Sequence, residues 1–308
     1  MAIKLYQEVV LILEKQGLDW LDPPLKHYLK DWVVSIPGLL ATPLKIPTVT
    51  DTDHALGEKM NFFANYSNEY SQFRPTYPED LFDYLAKICP TQDSAWDCGS
   101  GNGQAALYLA KHFQNVIATD TSQEQLALAP YLPNIQYVLS PAEETVIPDK
   151  SIDLIVIAQA LHWFDLDKFY MEVVRVAKPK GFIAGWCYFM PTINEEIDCT
   201  LEEIKKIICE YSTNLIQIKY VHDQYKTIPF PFKGVCAPKF SMTNKWSCDQ
   251  FIGHLKTWPS IRKFNSEFGE ATLNNYFEKI TLQWDRLEKY HLIQWPLNLL
   301  LGQVLSEE

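Results

Sequence analysis

A chain of 308 residues with 47% hydrophobic content is long enough for one large domain with substantial additions. Its formal net charge of -11 argues against a broad phosphate-binding face, so nucleic acid is not an expected partner. No uncharged apolar run approaches the roughly 20 residues of a membrane span, and Glu8 and Glu14 interrupt the N-terminal apolar stretch where a secretory signal would not tolerate them.

Residues 4–17 place Leu5, Val9, Leu11, Ile12 and Leu13 in a predicted helix that stops near Gly17. Residues 22–53 carry Pro23, Pro24, Pro37, Pro43 and Pro47, followed by a Thr/Asp-rich stretch. This reads as an irregular extension over 1–58 with a linker near 48–56. From about 80 the pattern changes. Leu81, Leu85 and Ile88 fit a helix opened by Pro78-Glu79-Asp80. Predicted strands at 94–98, 115–120, 135–140, 151–159 and 182–188 then alternate with helices at 104–113, 122–129 and 169–177, the last stopped by Pro179 and Gly181. The strands are apolar throughout and do not alternate with polar residues. That pattern indicates an α/β fold with a doubly wound, mostly parallel sheet covered on both faces. Residues 195–215 form a predicted amphipathic helix, 240–247 a strand, and the following stretch to about 288 is helical. Residues 291–304 read as one strand with Pro296 inside it, which points to an edge or a bulge. The division expected is an extension over 1–58, a core over 59–190, and remaining strands with a helical cap over 191–308.

The stretch AWDCGSGNGQ (95–104) runs through the first strand into Gly99–Gly103, the strand-to-helix turn where doubly wound folds bind ligands. A dinucleotide fingerprint G-x-G-x-x-G counted from Gly99 needs a third glycine at 104, where the chain has Gln104. A phosphate-binding Walker loop needs a following Gly-Lys-Ser/Thr, which is absent. Asp97, Gly99, Gly101 and Gly103 instead suit a nucleoside that carries an amino-acid tail. Asp120 closes the second strand 21 residues after Gly99, the reach of an acid that binds ribose hydroxyls. Its alternative role is an N-cap for the next helix.

Four motifs in order carry a family resemblance: WDCGSGNGQ (96–104), VIATDTSQEQLALA (116–129), SPAEETVIPDKSIDLIVIAQALHWFD (140–165) and FYMEVVRVAKPKGFIAGW (169–186). Together they resemble a class I S-adenosylmethionine-dependent methyltransferase, whose fold implies a seven-stranded sheet. NYSNEYSQFRPTYP (65–78), ALHWFD (160–165) and QWPLNLLLGQV (294–304) are similar to the branch containing trans-aconitate methyltransferases. The resemblance implies S-adenosylmethionine as cofactor. Gly99, Gly101 and Gly103 would contact its methionine part and sugar, and Asp97 would lie near its amino group. Asp120 would hold the ribose. Thr121, Ala142 and Glu143 would border the adenine, and Gln159 would lie under the sulfonium. Arg74 and Tyr66 would close over the cofactor. Arg74 suits the methionine carboxylate, with a surface ion pair as its alternative. Tyr66 and Tyr70, four residues apart, could equally pack along one helical face.

Methyl transfer from a sulfonium is an in-line displacement for which the enzyme mainly supplies orientation and a dry pocket. His162 is the candidate catalytic group, as base or as hydrogen-bond donor, against the alternative of a wall histidine that holds its loop. Trp163, Phe164 and Trp186 are candidate substrate contacts. Core filling is the alternative for Trp163 and Phe164. Trp186, Tyr188, Phe230, Phe232, Trp246, Trp258 and Trp284 point to an aromatic cap over an apolar or planar acceptor. Arginines for a polyacidic acceptor are few: Arg262 and Arg286 besides Arg74 and Arg175. The expected acceptor is a small molecule, with a carboxylate or hydroxyl oxygen favoured. No histidine spacing implies a metal, and seven scattered cysteines fit reduced thiols in the cytoplasm. Two further readings stay open: a cofactor- or partner-binding protein without turnover, and an NAD(P)-dependent oxidoreductase.

Overall fold

A computed structural model describes residues 75–212, 216–284 and 289–305. The extension 1–58, Tyr66, Tyr70, Arg74 and Arg286 lie outside the described residues. Helix α1 (Glu79–Ile88) opens after Pro78, with Glu79 and Asp80 in its first turn and Lys87 in its last. Those charges oppose the helix dipole favourably at both ends. Leu81, Phe82, Leu85 and Ala86 form its buried face. The chain then runs β1 (Ser94–Cys98), α2 (Gln104–Leu109), β2 (Asn115–Asp120), α3 (Gln123–Ala127), β3 (Ile135–Leu139) and β4 (Ile152–Ala158). A 3₁₀ turn at Leu161–Trp163 precedes α4 (Leu166–Val176) and β5 (Ala177–Cys187).

Beyond β5 lie α5 (Glu195–Ser212), α6 (Ile216–His222), β6 (Lys233–Gly234), β7 (Ser241–Ser247), α7 (Cys248–Lys256), α8 (Pro259–Phe268), α9 (Ala271–Trp284), β8 (Tyr290–Pro296) and β9 (Asn298–Gln303). The main sheet has seven strands in the order β3-β2-β1-β4-β5-β9-β6. Strands β1 to β5 pair in parallel, and β9 runs antiparallel to both β5 and β6. The order reverses between β1 and β4. A ligand crevice is expected where their carboxyl ends part.

Strand β4 shows why its sequence is unbroken apolar. Ile152, Ile155 and Ile157 pack into the core on the α4 side, while Leu154 and Val156 enter the larger core shared with α1. A strand buried on both faces has no position left for a polar alternation. The only acid in it is Asp153 at its amino end. It accepts from the Thr91 hydroxyl, the backbone N–H groups of Asp93 and Ser94, and Lys178 Nζ at 2.8 Å. Ile197, Leu201, Ile204, Phe251, Leu255, Phe277 and Ile280 of the helical segment belong to the same core as Trp186 and Tyr188. The cap is therefore built into the domain core.

Two expectations change. Residues 291–304 are two strands. β8 ends at Pro296, paired with Ser241 in a separate two-stranded sheet, and β9 enters the main sheet at Asn298. Proline sits where one ladder ends and its missing N–H is not required. Strand β5 starts at Ala177 and contains Pro179, because it bulges. Ile152 faces Ala177 and Leu154 faces Phe182, so two steps on β4 match five on β5. The helix expected over 195–215 is present as α5 to Ser212, with residues 213–215 outside the described residues. No described helix is long and apolar enough to cross a membrane, and no described group of three or more His, Cys, Asp or Glu could hold a metal.

Candidate active site

The loop after β1 is fastened to the end of β2: Gly99 N and Ser100 N donate to Thr119 O at 2.8 and 2.9 Å. Gly99, Gly101 and Gly103 all have left-handed backbones, with φ of +70°, +55° and +81°. Only glycine takes such angles without a steric penalty. Two of them are also sterically required. A Cβ at Gly99 would stand 2.6 Å from Ala160 Cβ, and one at Gly103 would stand 2.5 Å from the Tyr137 hydroxyl.

Asp97, at the end of β1, is fully buried, and neither carboxylate oxygen meets a hydrogen-bond partner among the described residues. The nearby Ser100 hydroxyl is enclosed and lacks a partner among them too. Burial pushes the Asp97 carboxyl up to about 7; the Ala106 amide, close by in the first turn of α2 but outside hydrogen-bond geometry, offsets part of this, and the charge of Asp120 adds to it. An unpaired buried carboxylate costs several kcal/mol, roughly, unless a cation arrives. The site is thus chemically prepared for an ammonium group beside a glycine-lined backbone.

Asp120 ends β2 with its carboxylate turned onto the loop. Oδ2 accepts from Gly101 N at 2.7 Å and Oδ1 from Ser122 N at 2.8 Å. The N-cap of α3 is Ser122, which accepts from Gln125 N, so the capping alternative for Asp120 does not hold. Burial raises the Asp120 carboxyl, against the lowering effect of the Ser122, Gly101 and Thr121 amides. Thr121 beside it is exposed. After β3, Ala142 is buried and Glu143 accepts from Asp165 N at 2.9 Å, which ties that loop to the start of α4.

At the end of β4 the chain takes another left-handed residue, Gln159, with φ of +60°. A non-glycine residue there costs on the order of 1–2 kcal/mol and must be held in place. Its side-chain amide makes a two-point clamp on Tyr188, donating to O at 3.0 Å and accepting from N at 2.9 Å. The Gln159 side chain is committed to the fold. What the strand end presents is backbone. Ala160 and Phe164 then close against Gly99, and Phe164 packs edge-on to Phe169 at 4.9 Å. His162 is buried, with Nδ1 2.8 Å from the Tyr225 hydroxyl. Burial lowers its pKa to about 3, so the imidazole is neutral at physiological pH. Trp163 is 38% exposed.

Residues 96–185 match the family model described as a methyltransferase domain. A protein of Dictyostelium discoideum that bears the name methyltransferase is 34% identical over 225 residues, covering 71% of this chain and 82% of the relative. The chain belongs to the class I methyltransferase family. A solved type II methyltransferase structure from Anaeromyxobacter dehalogenans superposes with a TM-score of 0.69 at 32% identity, over 76% of this chain and all of the other. CRG1 of Saccharomyces cerevisiae, named as an S-adenosylmethionine-dependent methyltransferase, is 28% identical over 54% of this chain and 60% of its own length.

In this methyltransferase the sheet brings Asp97, the three glycines, Asp120, Gln159, Phe164 and, through Asp165, Glu143 to one end of the strands. The aromatic cap resolves differently. Trp186 has no exposure and lies between Tyr77 and Phe82, at 5.4 and 5.9 Å. Tyr188, Trp258 and Trp284 are buried as well, and Phe230 and Phe232 pack on Tyr170 on the other face of the sheet. These rings fill core, and Trp186 is not an open wall for an acceptor. Arg175 is likewise structural. It donates to Glu172, Ile147 O and Asp149, while Glu172 accepts from Thr145 N at 2.8 Å. That network pins the loop bearing Ala142 and Glu143 to α4. Sequence reasoning also passes over Tyr137, whose hydroxyl donates to Pro130 O while its ring covers Gly103, and over Tyr225. Neither residue stands in a spacing that signals its role.

Proposed function

We propose that this methyltransferase transfers a methyl group from S-adenosylmethionine to a small-molecule acceptor, at a carboxylate or hydroxyl oxygen, by in-line displacement. When bound, S-adenosylmethionine supplies a methyl group already activated by its sulfonium. The chain's own residues have the tasks of binding, orienting and drying the site. Asp97 would pair with the methionine ammonium and gain the partner it lacks. The backbone of Gly99, Gly101 and Gly103 would lie along the tail and sugar. Asp120 keeps lone pairs available for ribose hydroxyls while it also holds Gly101 N. Thr121, Ala142 and Glu143 would border the adenine, the backbone at Gln159 would face the sulfonium, and Arg74 and Tyr66 would contribute from outside the described residues. The acceptor would enter past Trp163 and Phe164, with His162 at its edge.

The observation that carries this reading is the buried Asp97 carboxylate beside the glycine loop, without a hydrogen-bond partner among the described residues. A carboxylate at this point repels a pyrophosphate and attracts an amino-acid tail. Isothermal calorimetry tests the reading. S-adenosylhomocysteine is expected to bind and NADH to give no heat; binding of NADH alone would replace methyl transfer with hydride chemistry. A metabolite screen with methyl-labelled S-adenosylmethionine then tests turnover. Cofactor binding with no labelled product from any carboxylate or hydroxyl compound would leave a binding protein in its place.

A further inference from the structure

His162 follows the carboxyl end of β4 in the 3₁₀ turn Leu161–Trp163, and its partner comes from far along the chain. Tyr225 is fully enclosed, 1% exposed, just past the end of α6. Its backbone and that of Gln224 are both left-handed, with φ of +60° and +58°. Two successive non-glycine residues in that region cost on the order of 1–2 kcal/mol each. The arrangement persists because Tyr225 N returns to Tyr220 O at 2.8 Å and the phenol reaches His162 Nδ1 at 2.8 Å.

The direction of that last bond follows from satisfaction of buried groups. The phenol has one proton and, among the described residues, one acceptor at hydrogen-bond distance, His162 Nδ1; the His162 main-chain N–H approaches the same oxygen only as a donor. If Nδ1 carried the hydrogen, the Tyr225 proton would be buried with no acceptor, at a cost of about 1–3 kcal/mol. Tyr225 therefore donates, Nδ1 accepts, and the single imidazole proton sits on Nε2. Nε2 meets no hydrogen-bond partner among the described residues, yet it is not fully enclosed. His162 as a whole keeps 8% of its surface exposed.

We propose that Tyr225 locks His162 as the Nε2–H tautomer, so that the imidazole offers the acceptor substrate a hydrogen-bond donor and selects a compound bearing a carboxylate or carbonyl oxygen. This rests on the methyl-transfer reading of the same site. Tyr225 is a positioning residue acting through His162. A carboxylate acceptor is ionised at neutral pH and needs no base, so a donor that orients it suffices, and His162 is not required to take a proton.

Nitrogen-15 NMR of protein labelled in its seven histidines reads the tautomer directly, with His162→Gln used to assign the signal. The wild type is expected to show a protonated Nε2 and a lone-pair Nδ1. A protonated Nδ1 overturns the proposal whether or not the protein methylates anything, and failure of cofactor binding leaves this readout intact. Tyr225→Phe is expected to give a mixture of tautomers; an unchanged pure Nε2–H form would remove Tyr225 as the cause. Should that variant not fold, 3-fluorotyrosine incorporation strengthens the phenol as donor at nearly the same volume and is expected to shift Nδ1. An unmoved Nδ1 would again exclude Tyr225. Hexanoate, titrated in the presence of S-adenosylhomocysteine, is expected to move the Nε2–H signal while hexylamine leaves it in place. No movement at any soluble hexanoate concentration, or equal movement with the amine, would overturn the choice of an oxygen-bearing acceptor.

Discussion

Replacing Asp97 by asparagine should stabilise the ligand-free protein while it weakens cofactor binding. The carboxyl sits at about 7 in the fold because of burial, against an ordinary value of 3.8. A folded-state value raised above the unfolded one means that folding favours the protonated form. The stability that this form provides is complete below pH 3.8 and is lost as pH rises through about 7. Each tenfold change in proton concentration over that window is worth about 1.36 kcal/mol, so the charged carboxylate costs the empty fold about 4 kcal/mol above pH 8. The amide of the Asp97→Asn variant carries no charge to bury. The stability gap between Asp97→Asn and wild type should widen by about 2–3 kcal/mol between pH 5 and pH 8, with the variant more stable. Urea denaturation across that range measures the gap. Calorimetry on the same samples should show S-adenosylhomocysteine binding weakened by about 1.5–3 kcal/mol, since a charge-assisted bond is lost. A gap independent of pH would refute the picture of Asp97 as a buried charge awaiting its partner.

Other positions give separable outcomes. Asp120→Ala should weaken S-adenosylhomocysteine binding by about 1–3 kcal/mol, and an unchanged calorimetric affinity would sink the ribose assignment. Gly103→Ala should cost at least about 2 kcal/mol of stability, from its φ of +81° and the Tyr137 hydroxyl 2.5 Å from the new Cβ. Adding Tyr137→Ala should recover the steric share only, and full recovery would deny the backbone share. Asp153→Ala leaves the backbone N–H groups of Asp93 and Ser94 without their acceptor at the amino ends of the strands, and leaves Lys178 with Asp93 as its remaining carboxylate. A loss of about 1–3 kcal/mol in urea denaturation is expected from the two N–H groups, and no measurable loss would contradict the network's role.

The parts of the fold written in local sequence are legible. Unbroken apolar strands between turn-forming residues point to the parallel sheet because a strand buried on both faces has no other way to read. The glycines are legible because left-handed backbone angles admit few alternatives, and Asp97 and Asp120 because strand ends place them. What the sequence conceals depends on distant partners. Pro296 looks internal to one strand because the switch between two sheets is made by long-range pairing with Ser241 and Cys187. The cap aromatics look like a substrate wall because periodicity does not separate a ring facing a cavity from one facing another ring. Gln159 falls at the expected strand end, but its clamp on Tyr188 spans 29 residues. His162 stands out by its motif, whereas Tyr225 is 63 residues away in a segment with no motif at all.

The central claim is that the glycine loop and Asp97 together receive an amino-acid-tailed nucleoside. A crystal structure with S-adenosylhomocysteine tests it most directly. The ligand's amino group is expected within hydrogen-bond distance of Asp97, its sugar hydroxyls on Asp120 and its sulfur at the carboxyl end of β4. A ligand bound elsewhere, or one seated on the loop with Asp97 still lacking a partner, would contradict it.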